Sequence, residues 1–362
     1  MTAMDTNTSI HQINNTEESM SSSDYYANLK KSLHILSLCV FGMACVLGVF
    51  GNGLVIWVAG FRMKKTVNTV WFLNLAVADF LFTAFLPLSI TYQALNFHWM
   101  FGKLMCKLNG TVNFLNLYAS VYTLVAISVD RLVSVVWPVW AQIHRNVRKA
   151  SYMSLCVWAF ALTLSLPSFV FRDTESYDNI TICYNNYAFS NNYTNPDVIQ
   201  LQHFRHRSMT VTRLLLGFII PFSVMVSCYS IIIHRLRNSP TLAKRSGRPF
   251  RVIATIIITF FLCWAPFHIM TIVELKRFDP NSQSETLAHV IGIGIPLATC
   301  LAYINSCLNP VLYIFIGQDF KDKICKSILK VLETVFQEDE IHTYTKSTTT
   351  SENKRFDHNT EL

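Results

Sequence analysis

Seven long apolar runs leave this chain few folds to choose from. They lie near Leu33–Phe61, Asn68–Leu95, Lys103–Trp137, Lys149–Phe171, Ser208–Leu236, Phe250–Leu275 and Leu287–Ile316. About 20 apolar residues of helix cross the hydrocarbon of a bilayer. Backbone polar groups find no water there, so a single span must be helical. The runs therefore predict an all-α membrane protein, a seven-transmembrane helix bundle. Only 14% of the residues are charged, where a soluble domain carries about a quarter. The first run is too long for a signal-peptide core and reads as a signal-anchor. No internal repeat is visible, which weighs against the duplicated folds of many transporters.

Charge orients the spans. Arg62, Lys64 and Lys65 follow the first, and Arg145, Arg148 and Lys149 follow the third. Arg235, Arg237, Lys244, Arg245, Arg248 and Arg251 follow the fifth, and Lys321, Lys323, Lys326 and Lys330 the seventh. The alternate connections mix in acids: Asp173, Glu175, Asp178 and Asp197, then Asp279 and Glu285. Basic connections stay in the cytoplasm, so the N-terminus is expected outside the plasma membrane. The net charge of +8 is read as this orientation signal, since no nucleic-acid motif accompanies it. Sequons at Asn7, Asn14, Asn179 and Asn192 all fall on the expected outer face. A fifth, at Asn109, sits too near a helix start to suit modification.

Four segments follow: a disordered, glycosylated N-terminus (1–32), the bundle (33–316), a surface helix (317–332) and a disordered tail (333–362). In the third, Phe320, Ile324, Ile328 and Val331 recur near helical spacing among lysines, as in a helix lying on the inner leaflet. Cys325 there suits palmitoylation or an ordinary free thiol. In the tail, Thr345, Ser347, Thr348, Thr349, Thr350 and Ser351 would add dense negative charge when phosphorylated. Asp24-Tyr25-Tyr26 is open to tyrosine sulfation, with an unmodified segment as the simpler reading. Cys106 and Cys183 stand in polar flanks and suit one disulfide if both face the oxidising side. No His/Cys cluster suggests a metal, and no nucleophile–base pair or phosphate-cradling loop suggests an enzyme.

Polar residues inside a span are costly unless partnered, so each is a functional candidate. Asn52, Asn74, Asp79, Asn116, Ser120, Asp130, Arg131, Asn305, Ser306 and Asn309 all fall in spans. If they face inward, Asp79 gathers Asn116, Ser120, Asn305 and Asn309 around it. Such a cluster suits either a sodium ion or a hydrogen-bonded network without one. Pro87, Pro167, Pro221, Pro266, Pro296 and Pro310 place kinks in most later spans.

Taken in order, these residues resemble the rhodopsin-like G-protein-coupled receptors. The resemblance rests on Gly51-Asn52, Leu75-Ala76-Val77-Ala78-Asp79, Asp130-Arg131-Leu132, Trp158, Pro221 with Tyr229, Cys263-Trp264-Ala265-Pro266 and Asn309-Pro310-Val311-Leu312-Tyr313. It covers about Leu33 to Leu332. It implies a Cys106–Cys183 disulfide and an activation path through Asp130, Arg131, Tyr229, Trp264, Pro266, Asn309, Pro310 and Tyr313. Leu132 departs from the usual tyrosine. Ser246 stands where some members place an acid that locks Arg131, which leaves Asp130 as the expected restraint. The runs Met63–Phe82, Pro138–Arg145 and Ser168–Thr174 resemble the chemoattractant receptors. Phe250–Trp264 and Ile316–Lys321 are most similar to chemerin receptors. That group implies a peptide or protein ligand from outside, an inhibitory heterotrimeric G protein, and arrestin. Formyl-peptide, anaphylatoxin and lipid-mediator receptors, and a non-signalling scavenger, stand as alternatives.

Residue chemistry narrows the ligand. Amine receptors carry an acid where this chain has Asn113, and retinal pigments carry a lysine where it has Tyr303. Formyl-peptide receptors carry an acid where it has Phe114. The cations Arg172, ending the fourth span, and Arg213, inside the fifth, suit a carboxylate held by a planar fork. The resemblance suggests that this carboxylate is a peptide C-terminus. Asn113, Tyr303 and Glu274 complete the candidate ligand set, with Glu274 expected to face Arg213 or the ligand.

Overall fold

The computed structural model describes residues 6–189, 195–238, 240–278 and 284–316, with side chains in 24–189, 195–238, 253–277 and 284–312. Seven helices in it are long and apolar enough to cross a membrane. In chain order the elements are α1 (Thr6–Trp57), α2 (Val67–Ala94), α3 (Gly102–Val136), a short α4 (Pro138–His144) and α5 (Val147–Phe171). A hairpin of β1 (Arg172–Tyr177) and β2 (Ile180–Asn185) follows. Next come α6 (Pro196–Leu214), α7 (Ile220–Arg237), α8 (Pro240–Leu275) and α9 (Glu285–Ile316). A π turn at Leu215–Ile219 fuses α6 and α7 into one fifth span, and another at Val58–Arg62 ends the first.

Burial is arranged for lipid. Phe50 is 74% exposed and Leu262 69%, while Asn52 and Asp79 are 0% exposed. A surface this apolar over a centre this polar is stable only with hydrocarbon around it. Aromatic and aliphatic side chains from most of the spans fill one core around Leu75, Leu117, Leu124, Phe260 and Trp264. Helix 1 approaches the last span closely at Gly51, where an added Cβ would sit 3.1 Å from the Pro310 ring. Local chemistry sets the helix starts. Thr66 and Thr69 form a reciprocal capping box at α2, Asn146 caps α5, and Asn195 caps α6 ahead of Pro196.

Three boundaries depart from the apolar runs. Helix α1 starts at Thr6, before the limit expected at residue 32; its Tyr26 ring stacks on His289 at 3.6 Å, and Leu33 is buried. The fifth span gains a polar extension from Pro196, invisible to a hydropathy reading. The connection between α5 and α6 contains an antiparallel hairpin, which the sequence pattern did not predict. Its tip, Asp178-Asn179, has positive φ at both residues (41° and 68°), as a two-residue hairpin turn of the I′ kind requires. The segments 317–332 and 333–362, with Cys325 and the tail phosphorylation candidates, lie outside the described residues, as do Asn192 and the side chains of Asn7, Asn14 and Tyr313.

Candidate functional site

The hairpin is tied over one end of the bundle. Cys106 at the head of α3 is bonded to Cys183 in β2. Trp99 packs against that disulfide and its backbone N–H donates to the Thr181 carbonyl at 2.7 Å. Asn179 is exposed at the tip. Asn109, in contrast, is partly buried and donates to Ser89.

Arg172 begins β1 exactly one residue past α5, so the turn out of the helix aims it. Its side chain lies across α3 at Gly110, where even a Cβ would come within 2.8 Å of Arg172 Cγ. Its Nη1 reaches the Cys183 carbonyl at 3.5 Å. Burial pulls the Arg172 pKa below the usual arginine value; Tyr303, Tyr92 and Tyr187 oppose that, and Arg213 adds to it. Arginine stays charged in proteins, so such a site favours an anion. Arg213, near the end of α6, sits 3.8 Å over the Phe114 ring and donates to Ser168 Oγ at 3.2 Å. Asn113 donates to the Tyr303 hydroxyl at 3.1 Å. Phe41 and Phe82 flank Tyr303 with ring centroids 4.6 and 4.8 Å away. The bundle thus brings together Arg172, Arg213, Asn113 and Tyr303. Glu274 makes no ion pair with Arg213 among the described residues; its charged neighbour is Arg277.

Trp264 lies at the floor, 4% exposed, its indole N–H without a partner among the described residues. One turn further along α8 is His268, which no sequence motif singled out. It is 2% exposed, its Nε2 has no partner among the described residues, and Arg213 is its charged neighbour. The available signal was a histidine four residues after Trp264 in an apolar helix. Pro266 lies between the two, partly buried in α8.

Deeper still, Asp79 Oδ1 accepts from Asn116 at 2.9 Å and Oδ2 from Asn309 at 2.7 Å. Ser306 donates to Asn116 Oδ1 at 3.3 Å, and Asn52 donates to the Ser306 carbonyl at 2.8 Å. Asn305 is buried against the Cys263 thiol. Ser120 Oγ is buried without a partner among the described residues. A buried carboxylate is a hard-oxygen donor of the kind a small cation takes.

At the other end, Asp130 has a partner the sequence analysis did not name. Arg145, placed by the short α4, grips it as a fork at 2.7 and 2.9 Å. Arg131 stands 3.4 Å from the same carboxylate and donates to Asn68 Oδ1 on α2. Arg145 also donates to that oxygen, at 2.7 Å. The Tyr229 hydroxyl faces Arg131 and Ser128. Restraint of Arg131 is therefore shared between Asp130 and Asn68.

Residues 51–313 match the family described as 7 transmembrane receptor (rhodopsin family). The chain belongs to that family. It is a seven-span membrane receptor, not an enzyme. It is 46% identical over 319 residues to chemerin-like receptor 1 of Rattus norvegicus, covering 84% of this chain and 83% of the relative. To the Homo sapiens protein of that name it is 46% identical over 314 residues, 85% of this chain and 82% of the relative. The C3a anaphylatoxin chemotactic receptor of Oncorhynchus mykiss is 43% identical over 312 residues, 85% of this chain and 81% of the relative. The pattern is that of a chemoattractant G-protein-coupled receptor.

Proposed function

We propose that this receptor is driven by a chemerin-like peptide or protein whose free C-terminal carboxylate enters between Arg172 and Arg213. One observation carries the reading: two partly buried guanidinium groups meet in the outer half of the bundle, and neither is in an ion pair among the described residues. Burying a cation costs free energy until an anion joins it. The names of the similar receptors point to the same ligand class. The C3a-receptor relative makes an anaphylatoxin C-terminus the second candidate.

The hairpin end faces outward in this reading, with the N-terminus outside and the basic connections in the cytoplasm. Ligand binding favours the active arrangement and draws the population toward it. Trp264 senses the occupied pocket and Pro266 lets α8 pivot. Arg131 leaves Asp130 and Asn68, Tyr229 receives it, and an inhibitory G protein docks in the opened cleft. Asn309, Pro310 and Tyr313 carry the same change through α9. A phosphorylated tail then recruits arrestin. Asp79, Ser120 and Ser306 would hold a sodium ion in the inactive arrangement, with Asn116, Asn305 and Asn309 around it; its charge would offset the buried carboxylate. Asp79→Asn should then abolish any loss of agonist affinity on adding sodium, measured by radioligand competition.

The direct test is inhibition of cyclic AMP in cells expressing the chain, using chemerin C-terminal peptides with a free or an amidated end. Potent inhibition by the free acid alone supports the reading. Silence with both peptides, at normal surface expression, overturns it, and anaphylatoxin peptides are then assayed.

A further inference from the structure

A short strap of chain joins the two pocket arginines. In the hairpin ladder Arg172 stands opposite Asn185, so the chain leaving β2 starts beside it. Residues 186–189 then cross from the end of α5 to α6. The Asn186 N–H donates to the Phe171 carbonyl at 2.7 Å, and the Phe189 N–H donates to Asn186 Oδ1 at 3.0 Å. Tyr187 and Ala188 are buried. Phe189 has a φ of 54°, which a bulky residue keeps only where its surroundings impose it. One residue of α6 supplies much of those surroundings. Arg205 Nη1 donates to the Tyr187 carbonyl at 2.9 Å and reaches the Ala188 carbonyl at 3.4 Å. The same guanidinium lies 5.0 Å over the Phe189 ring. From the other side the Phe171 ring packs 5.0 Å from Tyr187 and 5.2 Å from Phe189. Arg205 is partly buried and in no ion pair among the described residues. Its charge is engaged by backbone carbonyls and a ring. What the strap carries is Tyr187. Its hydroxyl faces Arg172, and its ring stacks on His206 at 5.1 Å. His206 in turn faces Arg213. Tyr187 and His206 thus form a continuous wall from one pocket arginine to the other.

We propose that Arg205 is a positioning residue for the carboxylate site: by holding residues 187–189 against α6 it fixes the Tyr187–His206 wall between Arg172 and Arg213, and so sets how long a bound C-terminus stays. The role rests on the carboxylate reading proposed above and deepens it. Two guanidinium groups repel each other, and a site in which both are held before the anion arrives binds it with less ordering left to do. A loss of that kind shows mainly in the rate of dissociation. Arginine suits the post because its planar fork donates to carbonyls while its face covers a ring, which the ammonium of lysine does less well.

Dissociation of a radiolabelled chemerin C-terminal peptide is followed on cells expressing the full chain, for the parent, Arg205→Ala, Arg205→Lys and Tyr187→Ala at matched surface expression. The free-acid peptide should leave Arg205→Ala about tenfold faster, the scale of one hydrogen bond to a charged group, with association little changed. Arg205→Lys should recover part of that loss. Tyr187→Ala should match Arg205→Ala, and the double variant should add little to either. The amidated peptide, measured by competition, should lose much less affinity than the free acid. Without any ligand, hydrogen exchange at the Asn186 and Phe189 amides should be faster in purified Arg205→Ala than in the parent. If Arg205→Ala does not reach the surface, Arg205→Lys and Tyr187→Ala carry the test. Dissociation from the variants at the parent rate overturns the role, and so does exchange that does not change. Equal losses for acid and amide also overturn it, since they would mark a general loosening of the fold. If neither peptide binds the parent chain, the function proposed above falls and this role with it. Binding to the parent that the variants leave intact sinks this role alone.

Discussion

The two ends of the bundle handle arginine in opposite ways. At the hairpin end, Arg172 and Arg213 touch a carbonyl, a hydroxyl and a ring, and no carboxylate among the described residues. At the other end, Arg131 and Arg145 share the Asp130 carboxylate and the Asn68 amide oxygen. The outer pair is short of negative charge, and the inner pair is supplied with it from within the chain. An unsatisfied cluster invites a ligand, whereas a satisfied one holds a state until something breaks it.

The largest effect is expected at the outer end. Truncating one partner of a buried charged pair costs about 2–5 kcal/mol, or roughly 30-fold to several-thousand-fold in potency. Arg172→Ala and Arg213→Ala should each lower peptide potency on that scale, and amidating the peptide should add little further loss in either variant. A large additional loss would mean that the carboxylate binds elsewhere. Gly110→Leu sharpens the point without touching a charge. Its side chain occupies the space of Arg172 Cγ, so it should mimic Arg172→Ala at normal surface expression.

The inner end should answer with basal activity. A hydrogen bond to a charged group contributes about 1.5–3 kcal/mol. Asn68→Ala removes the acceptor that draws Arg131 toward α2, so ligand-free G-protein activation should rise several-fold and agonist affinity should rise with it. Arg145→Ala should do the reverse. It releases Asp130, now 3.4 Å from Arg131, to close on that guanidinium. Basal nucleotide exchange on reconstituted G protein separates the cases. If both variants raise it alike, Arg145 supports the restraint on Arg131 and does not compete with it.

How far the sequence alone reached follows from the same physics. The seven spans were legible because lipid imposes a length and a composition on each. The contacts of Asp79 with Asn116 and Asn309 were legible because a carboxylate in a span must find company; Asn305, also expected there, is set against Cys263 instead. The Asn68–Asp130–Arg145 cluster was not legible, since its members come from two helices and an inner connection, and only their packing joins them. The hairpin was hidden in a polar segment whose single local clue was Asp178-Asn179. Arg172 was chosen for its charge, but its inward course depends on the missing side chain of Gly110, 62 residues away, as the separation of the two numbers shows.

The smallest effect tests whether the outer end is short of negative charge only inside the pocket. On its rim, Lys103 and Asp173 pair at 2.8 Å with side chains 59% and 25% exposed. Burial works against the Asp173 carboxylate, but Lys103, the Thr174 N–H and Lys107 outweigh it and leave its pKa below the usual value. A carboxyl whose pKa falls on folding stabilises the folded state above its unfolded pKa, about 3.9, and loses that contribution as pH drops through the folded value. Asp173→Asn should therefore lower stability at pH 7 by no more than about 1 kcal/mol, since the pair is largely open to solvent. The gap from the parent chain should close as the pH falls below about 4. Peptide potency should be unchanged, because this carboxylate already has its cation. A potency gain in Asp173→Asn, read in the cyclic AMP assay, would mean that the rim acid competes with the ligand for Arg172, and the outer end would then be restrained from within as the inner end is.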